Sequence, residues 1–219
     1  MSVTGEHAAD ARIPLRDQVR RELQARIADG RLRPGDRIFE QDLAVELGIS
    51  RVPVREAIRM LQSEGFVDVL PRRRGVFVRG LDREQAKELF EVREALEVYA
   101  ARLAAHRGEP ADVAQMAEFA RQARAAHEAG DVDGMSDANA AFHDKLVSLA
   151  GNDLLASMLE PLHGRLAWLF RMNLEPERVC GEHEELQAAI AAGDADRAAE
   201  VAQRHVLSSR RMVLERMLF

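Results

Sequence analysis

A chain of 219 residues and 24.4 kDa allows one large domain or two small ones, and its 47% hydrophobic content is enough for buried cores. No run approaches the roughly 18 to 20 apolar residues of a membrane span, and the first residues lack the apolar core of a signal peptide. The single cysteine, Cys180, excludes an intramolecular disulfide framework and suits a reducing compartment. We therefore expect a cytoplasmic protein with no membrane partner.

The net charge of −6 is unevenly distributed along the chain. Residues 1–80 contain 15 Lys and Arg against 12 Asp and Glu, a net charge of +3, whereas residues 81–219 contain 16 against 25, a net charge of −9. A basic N-terminal part on an acidic body is typical of a protein that approaches DNA with its N-terminal part first.

The N-terminal part begins with small and polar residues, and residues 1–11 are predicted to form a disordered tail. Apolar residues at helical spacing predict a helix over 15–28 that stops before Gly30. A turn signature follows at residues 32–36, and a second short helix is predicted over 41–47.

A third helix is predicted directly after Gly48, where Ser50 can cap its start with the hydroxyl and Pro53 is tolerated in the first turn. Its apolar residues fall on one side: Val54, Ala57, Ile58 and Leu61. Its arginines form a stripe beside them: Arg51, Arg55 and Arg59. Such a helix suits a DNA major groove, where Arg pairs bidentately with guanine. The alternative is an ordinary amphipathic surface helix with solvated arginines.

Two β-prone runs follow, at residues 66–70 and 75–78, and they flank a basic segment at 71–74. They predict a hairpin with a basic tip, in which Gly75 would allow the backbone to approach a phosphate or the minor groove. Two helices joined by a glycine turn and followed by such a hairpin predict a winged helix-turn-helix over residues 12–79.

Residues 32–80 resemble the DNA-binding domain of the GntR family of bacterial transcription regulators. The matching segments are 32–36 (LRPGD), 43–51 (LAVELGISR), 53–57 (PVREA), 64–67 (EGFV) and 74–78 (RGVFV). Val52 stands where the family usually has Thr, and Gln41 where some members place an Arg. With the arginine stripe and the basic tip, the resemblance implies these DNA-contacting residues: Ser50, Arg51, Val52, Pro53, Arg55, Arg59, Arg73, Arg74 and Gly75.

From Asp82 onward strand-like runs disappear, and Gly and Pro breaks divide the chain into six predicted helices. These cover about 83–106, 110–129, 131–150, 152–173, 176–192 and 194–217. Short connections favour an antiparallel bundle. The predicted fold is therefore mainly α, with the winged helix-turn-helix, a linker at 80–84 and an all-α domain over 85–219.

Histidine spacing in the bundle predicts a metal site. Asn139 and His143 lie four residues apart on one helix face, while His183 and His205 lie at similar distances from the turn that joins the last two helices. Imidazoles and an amide oxygen suit Zn²⁺ or another divalent ion such as Ni²⁺ or Mn²⁺. The alternative is a set of isolated core histidines. The remaining histidines, His7, His106, His127 and His163, fit no such geometry and receive no role.

The bundle also resembles the FCD effector domain of the FadR subfamily, in its shorter VanR-like six-helix form. The matching segments are 89–97 (LFEVREALE), 139–143 (NAAFH), 150–152 (AGN), 182–183 (EH) and His205. The resemblance implies a metal held by Asn139, which replaces the usual Asp, with His143, His183 and His205. It also implies a small carboxylate effector that pairs with Arg93. The alternative role of Arg93 is a salt bridge with a neighbouring Glu.

These features predict a ligand-responsive transcription regulator, a repressor that binds a pseudo-palindromic operator as a homodimer. An effector in the metal-containing bundle would change the placement of the DNA-binding heads through residues 79–84 and the first helix of the bundle. We predict no catalytic residues and no enzyme activity. Two alternatives are a metal-dependent hydrolase-like protein with an accessory DNA-binding head, and a constitutive DNA-binding protein whose bundle only dimerises.

Overall fold

The computed structural model describes residues 14–70, 75–170 and 175–217. The predicted tail at 1–11 and two predicted DNA contacts, Arg73 and Arg74, lie outside these ranges. Within them, every helix is too short or too polar to cross a bilayer.

The N-terminal part is a winged helix-turn-helix. Its elements are α1 (Leu15–Ala28), β1 (Arg37–Ile38), α2 (Glu40–Glu46), α3 (Arg51–Ser63), β2 (Val67–Leu70) and β3 (Gly75–Val78). The strands form an antiparallel sheet in the order β1-β3-β2. The sequence predicts the hairpin β2–β3 but not β1, because a strand of two residues is too short to show a pattern.

One face of α3 holds this part together. The four residues predicted to form the apolar side of α3 are all buried, and they pack against Leu23 of α1 and against Phe66. Val54, Ile58 and Leu61 each contribute about 1.5 to 3 kcal/mol when fully buried. Ser50 does occupy the N-cap position, but its hydroxyl accepts no hydrogen bond from the backbone of α3, so the predicted side-chain cap is wrong. Its backbone is extended, and the side chain is exposed.

The C-terminal part is a helical bundle. Its helices are α4 (Arg83–Arg107), α5 (Pro110–Glu128), α6 (Val132–Leu149), α7 (Asp153–Phe170), α8 (Pro176–Ala191) and α9 (Ala195–Arg216). Asp82, Asp131 and Asp194 cap α4, α6 and α9 with their carboxylates. Gly130 and Gly193 turn the chain between helices with φ of 71° and 69°, a left-handed conformation that favours glycine.

α4 lies at the centre of the bundle and packs against α6, α7, α8 and α9, while α5 covers α6 and α8. This arrangement brings one face each of α4, α6, α8 and α9 to a common interior. α7 also contacts α1, and it therefore joins the bundle to the winged helix.

Candidate DNA-contacting surface and metal centre

The outer face of α3 presents its three arginines to solvent. Glu40, the first residue of α2, lies beside them: Arg55 Nε donates to Glu40 Oε2 at 2.8 Å, and Arg51 Nη2 lies 3.5 Å from the same oxygen. Exposed ion pairs of this kind contribute about 0 to 1 kcal/mol, so a phosphate or base edge can replace Glu40 at little cost. The predicted contacts Ser50 and Val52 are also exposed, and Pro53 is half-buried.

Gly75 begins β3 opposite Leu70. A Cβ on Gly75 would lie 2.8 Å from Arg37 Nε, so the glycine makes room for the Arg37 side chain. That guanidinium lies 4.6 Å from the centroid of the exposed Phe39 ring, within the range of a cation–π contact. The side of the wing thus carries an exposed cation that the sequence did not indicate, and Gly75 has a packing role besides the predicted approach to DNA.

In the bundle, α6, α8 and α9 bring together His143, His183 and His205. The three are almost fully buried, and one ligand nitrogen of each lies within 4.8 Å of the others. The ring centroids are 4.9 to 5.2 Å apart. The similar distances of His183 and His205 from the α8–α9 turn therefore do place them at one level, as the sequence predicts.

Among the three histidines, the surroundings of His183 point most strongly to a role in metal binding. His183 is 0% exposed, and neither ring nitrogen has a hydrogen-bond partner within the described part of the chain. Its ring stacks on Phe142 with centroids 4.0 Å apart. Burial, with His205 and His143 nearby, holds the pKa of His183 well below its usual value, so the ring is neutral and can bind a metal. Buried polar atoms without partners are rare because they are costly, and a divalent ion would satisfy one of these nitrogens.

His143 lies against the buried carboxylate of Glu97. Its Nδ1 is 3.1 Å from Glu97 Oε1, although the two groups are not aligned as a hydrogen bond. Burial lowers the pKa of His143 to about 4, against the opposing effect of Glu97. Burial alone would raise the pKa of Glu97, but Arg93 and His143 hold it well below its usual value. With Nδ1 facing a carboxylate, Nε2 of His143 is the nitrogen left for a metal.

His205 has a matching partner in Glu182. Its Nδ1 is hydrogen-bonded to Glu182 Oε2 at 3.0 Å, and the same carboxylate accepts hydrogen bonds from Arg178 and Ser208. Burial alone would raise the pKa of Glu182, but His205 and Arg178 lower it to about 2. A carboxylate that orients an imidazole in this way is typical of metal-binding histidines. Sequence reasoning assigned no such role to Glu97 or Glu182.

The cluster opens onto a cavity of about 120 Å³. Asn139, one helical turn before His143, lines this cavity and is half-buried. Arg93 also lines it, and its guanidinium pairs with Glu97 Oε2 at 2.6 Å and Oε1 at 3.1 Å. The salt bridge with a neighbouring Glu, which the sequence left as an alternative, is therefore present, and the predicted pairing of Arg93 with an effector remains a prediction.

His163 of α7 received no role from its spacing, yet it lies beside the cluster. Its Nε2 is 3.3 Å from Glu97 Oε2, and Glu97, His143 and His163 form a second group of ligand-type atoms within 4.8 Å of one another. No sequence signal indicates this contact, because it depends on the lateral packing of α7 on α4.

The chain was compared with known proteins. Residues 15–78 match the family described as bacterial regulatory proteins, gntR family, and residues 88–208 match the FCD domain. The chain belongs to the GntR family. The Nta operon transcriptional regulator of Aminobacter aminovorans is 30% identical over 84% of this chain and 87% of its own length. The HTH-type transcriptional regulator McbR of Escherichia coli is 31% identical over 68% and 67%.

The solved structure of E. coli McbR/YncC shares the fold, with a TM-score of 0.84 and 25% identity over 93% of this chain and 99% of that one. The resemblance stated from the motifs is therefore confirmed, as is a mainly α fold with a winged helix-turn-helix. These relatives are transcription regulators, so the chain is a transcription regulator and not an enzyme, and the hydrolase-like alternative is not supported. The matched GntR region contains the arginine face of α3, and the matched FCD region contains the histidine cluster.

Proposed function

We propose that this GntR-family regulator is a metal-dependent, ligand-responsive repressor. It binds a pseudo-palindromic operator as a homodimer in the cytoplasm and releases the operator when a small carboxylate enters the bundle cavity. The observation that carries the proposal is the histidine cluster: three buried imidazoles converge, one of them has no partner among the described residues, and the cluster shares a cavity with Arg93.

The outer face of α3 supplies the DNA contacts. Arg51, Arg55 and Arg59 are exposed along one side of a helix whose other side is buried, so the helix can enter a major groove without unfolding. A two-fold dimer presents two such helices to two half-sites, which is why the operator would be a pseudo-palindrome.

His143, His183 and His205 would hold the metal, with Asn139 lining the same cavity one turn away. This nitrogen-rich set favours Zn²⁺, and Ni²⁺ or Mn²⁺ are the other candidates. A divalent ion would supply a positive charge for an effector carboxylate in an interior where Arg93 and Glu97 already neutralise each other. Arg93, held in place by Glu97, would orient that carboxylate from the α4 side.

The described contacts favour α7 as the element that transmits effector binding to the DNA-binding head. His163 meets Glu97 in the bundle interior. On the same helix, Glu160 accepts a hydrogen bond from Arg20 of α1 at 3.2 Å, and Arg20 also bonds to Glu64, at the end of α3, at 3.1 Å. A shift of Glu97 would therefore reach the end of α3 through α7 and through Arg20 of α1. Couplings of this kind are typically about 1 to 3 kcal/mol.

The sequence instead predicts this link in residues 79–84 and the first helix of the bundle, α4. Arg79 is bonded to Asp68 of the wing, and Asp82 caps α4, so this segment is anchored to both parts. The segment and α7 can act together, and the contacts of α7 give the more direct connection to α3.

The test uses His183→Leu, which replaces an unpartnered imidazole with an apolar side chain of similar size. Because no hydrogen bond is lost, the metal-free variant should unfold at an unchanged or higher temperature. Zinc at about 100 times its Kd should stabilise the native protein by about 2.7 kcal/mol and should not stabilise the variant. Thermal unfolding with and without zinc measures both effects.

Operator binding completes the experiment, with a duplex selected from a random pool and fluorescence anisotropy as the readout. The zinc-loaded native protein should bind the duplex and lose affinity in the presence of a cognate carboxylate. His143→Ala and His205→Ala should blunt that response and leave binding without effector largely intact. Zinc-independent unfolding of the native protein, or equal loss of DNA binding in these variants, would contradict the proposal and favour a purely structural cluster.

A further inference from the structure

We propose that the effector is a short monocarboxylate with an apolar tail, of about six to eight non-hydrogen atoms, rather than a polyhydroxylated acid or a dicarboxylate. The inference rests on the proposed function, because it assumes that the cavity beside the histidine cluster is the effector site. It is carried by the order of side chains along the three helices that supply the histidines.

On α6, α8 and α9 the cavity-lining residues change character in the same direction, away from the cluster. The order outward is His143, Asn139 and Met135 on α6, and His205, Ser209 and Met212 on α9. On α8, Val179 and Pro176 line the cavity outward from His183, which belongs to the cluster but is buried behind the cavity wall. Seven or eight residues of helix correspond to about 10 to 12 Å. The cavity is thus an elongated pocket with a ligating end and an apolar end.

The polar lining close to the cluster suits a single head group. Asn139 and Ser209 lie one turn from the histidines, and Arg93 is at the same end because Glu97 contacts both Arg93 and His143. A carboxylate placed there meets the metal-binding nitrogens and these polar groups together.

At the end of the cavity away from the histidine cluster, further polar groups of a ligand would have no hydrogen-bond partners. Met135, Val179 and Met212 are buried there. Ser136 adds one hydroxyl, and His127, which also lines the cavity, lies 3.5 Å from Glu177, so these two groups cannot serve the several hydroxyls of a sugar acid. An unpartnered polar group in such a place is unfavourable. A second carboxylate would also approach Asp131, which lines the mouth of the cavity and caps α6.

The size of the cavity sets the length of the tail. Its volume is about 120 Å³. An enclosed apolar cavity of roughly 150 Å³ is sufficient for the six carbons of benzene, so this smaller pocket holds a tail of about three to five carbons beyond the carboxylate.

Three acids of equal chain length test the inference: hexanoate, its dicarboxylate adipate, and its polyhydroxylated counterpart gluconate. The zinc-loaded full-length protein is titrated with each acid, and thermal unfolding and release of the selected operator are followed. Hexanoate should act at a concentration at least about tenfold lower than adipate or gluconate. Preference for adipate or gluconate, or no response to hexanoate, would overturn the inference.

The same titrations separate this inference from the proposed function. Release of the operator by gluconate or adipate alone would leave a metal-dependent carboxylate sensor in place and overturn only the apolar tail. If operator binding is unaffected by all three acids and by zinc chelation, both the inference and the proposed function fail.

A substitution in the apolar wall provides a second readout. Met212→Gln keeps the length of the side chain and should raise the concentration of hexanoate needed for release by about tenfold, with zinc affinity and effector-free operator binding unchanged. Val179→Thr, which preserves shape, serves if Met212→Gln fails to fold. Met158→Gln is the matched control, because Met158 is 49% exposed on α7. An equal response of the wall variant and the control would contradict the proposed tail site.

Discussion

The arginine face of α3 and the interior of the bundle both concentrate charge, but they hold it in opposite ways. On α3, Arg51 and Arg55 share Glu40 at the surface, where water screens every pair and each side chain can move independently. In the bundle, the side chains of Arg93 and Glu97 are 1% and 0% exposed. The Glu97 carboxylate also contacts His143 and His163. A surface of replaceable charges suits a partner that comes and goes, whereas an interdependent buried set responds as a unit.

The largest expected effect comes from breaking the buried set. Glu97→Ala removes the carboxylate that neutralises Arg93 in the interior, and the loss of one member of a buried pair costs about 3 to 5 kcal/mol. We expect the free energy of unfolding of the metal-free protein to fall by that amount in urea titrations. Glu88→Ala, an exposed position on the same helix, is the control and should change it by less than about 0.5 kcal/mol. A small effect of Glu97→Ala would mean that Arg93 reaches solvent.

The second prediction concerns the contact through which the two regions meet. A Cβ on Gly164 of α7 would lie 2.5 Å from the Phe66 ring. Gly164→Ala should therefore force α7 away from the winged helix and cost about 1 to 3 kcal/mol, although alanine is normally the better helix former. Scanning calorimetry should show the transitions of the bundle and the winged helix moving apart.

Gly181→Ala is the matched control for this substitution. Gly181 is also helical, on α8, but a Cβ there would meet nothing within 4 Å. The control should stabilise the protein by about 0.5 to 1 kcal/mol. If both variants are stabilised, the contact between α7 and Phe66 does not hold the two parts together.

The two regions also differ in how far the sequence predicts them. The buried side of α3 follows from apolar spacing alone, because Val54, Ala57, Ile58 and Leu61 lie on one face of any helix that contains them. The level of His183 and His205 follows in the same way, since similar distances from a tight turn align residues on antiparallel helices to within about one helical turn.

The sequence does not predict how the helices pack side by side. Glu40 of α2 contacts arginines of the next helix, α3, and Glu97 and His163 are 66 positions apart in the sequence. No local spacing therefore indicates either contact. The relevant faces of α4 and α7 are known only once the bundle is assembled. The predicted Ser50 cap fails for a local reason. A serine at the N-cap position need not accept a hydrogen bond from the helix backbone with its hydroxyl.

The smallest expected effect lies on the surface of α3, and it completes the comparison. Glu40→Gln removes the charge that Arg51 and Arg55 share, but these pairs are solvent-exposed, so the free energy of unfolding should change by less than about 1 kcal/mol. Operator affinity should instead rise by a few-fold at low salt, because both guanidinium groups meet phosphates without first leaving a carboxylate. Anisotropy titrations across a salt series measure the gain, and Arg55→Gln should give the opposite change. Weaker operator binding by Glu40→Gln would show that Glu40 positions the arginines for DNA, which would make this surface as interdependent as the bundle interior.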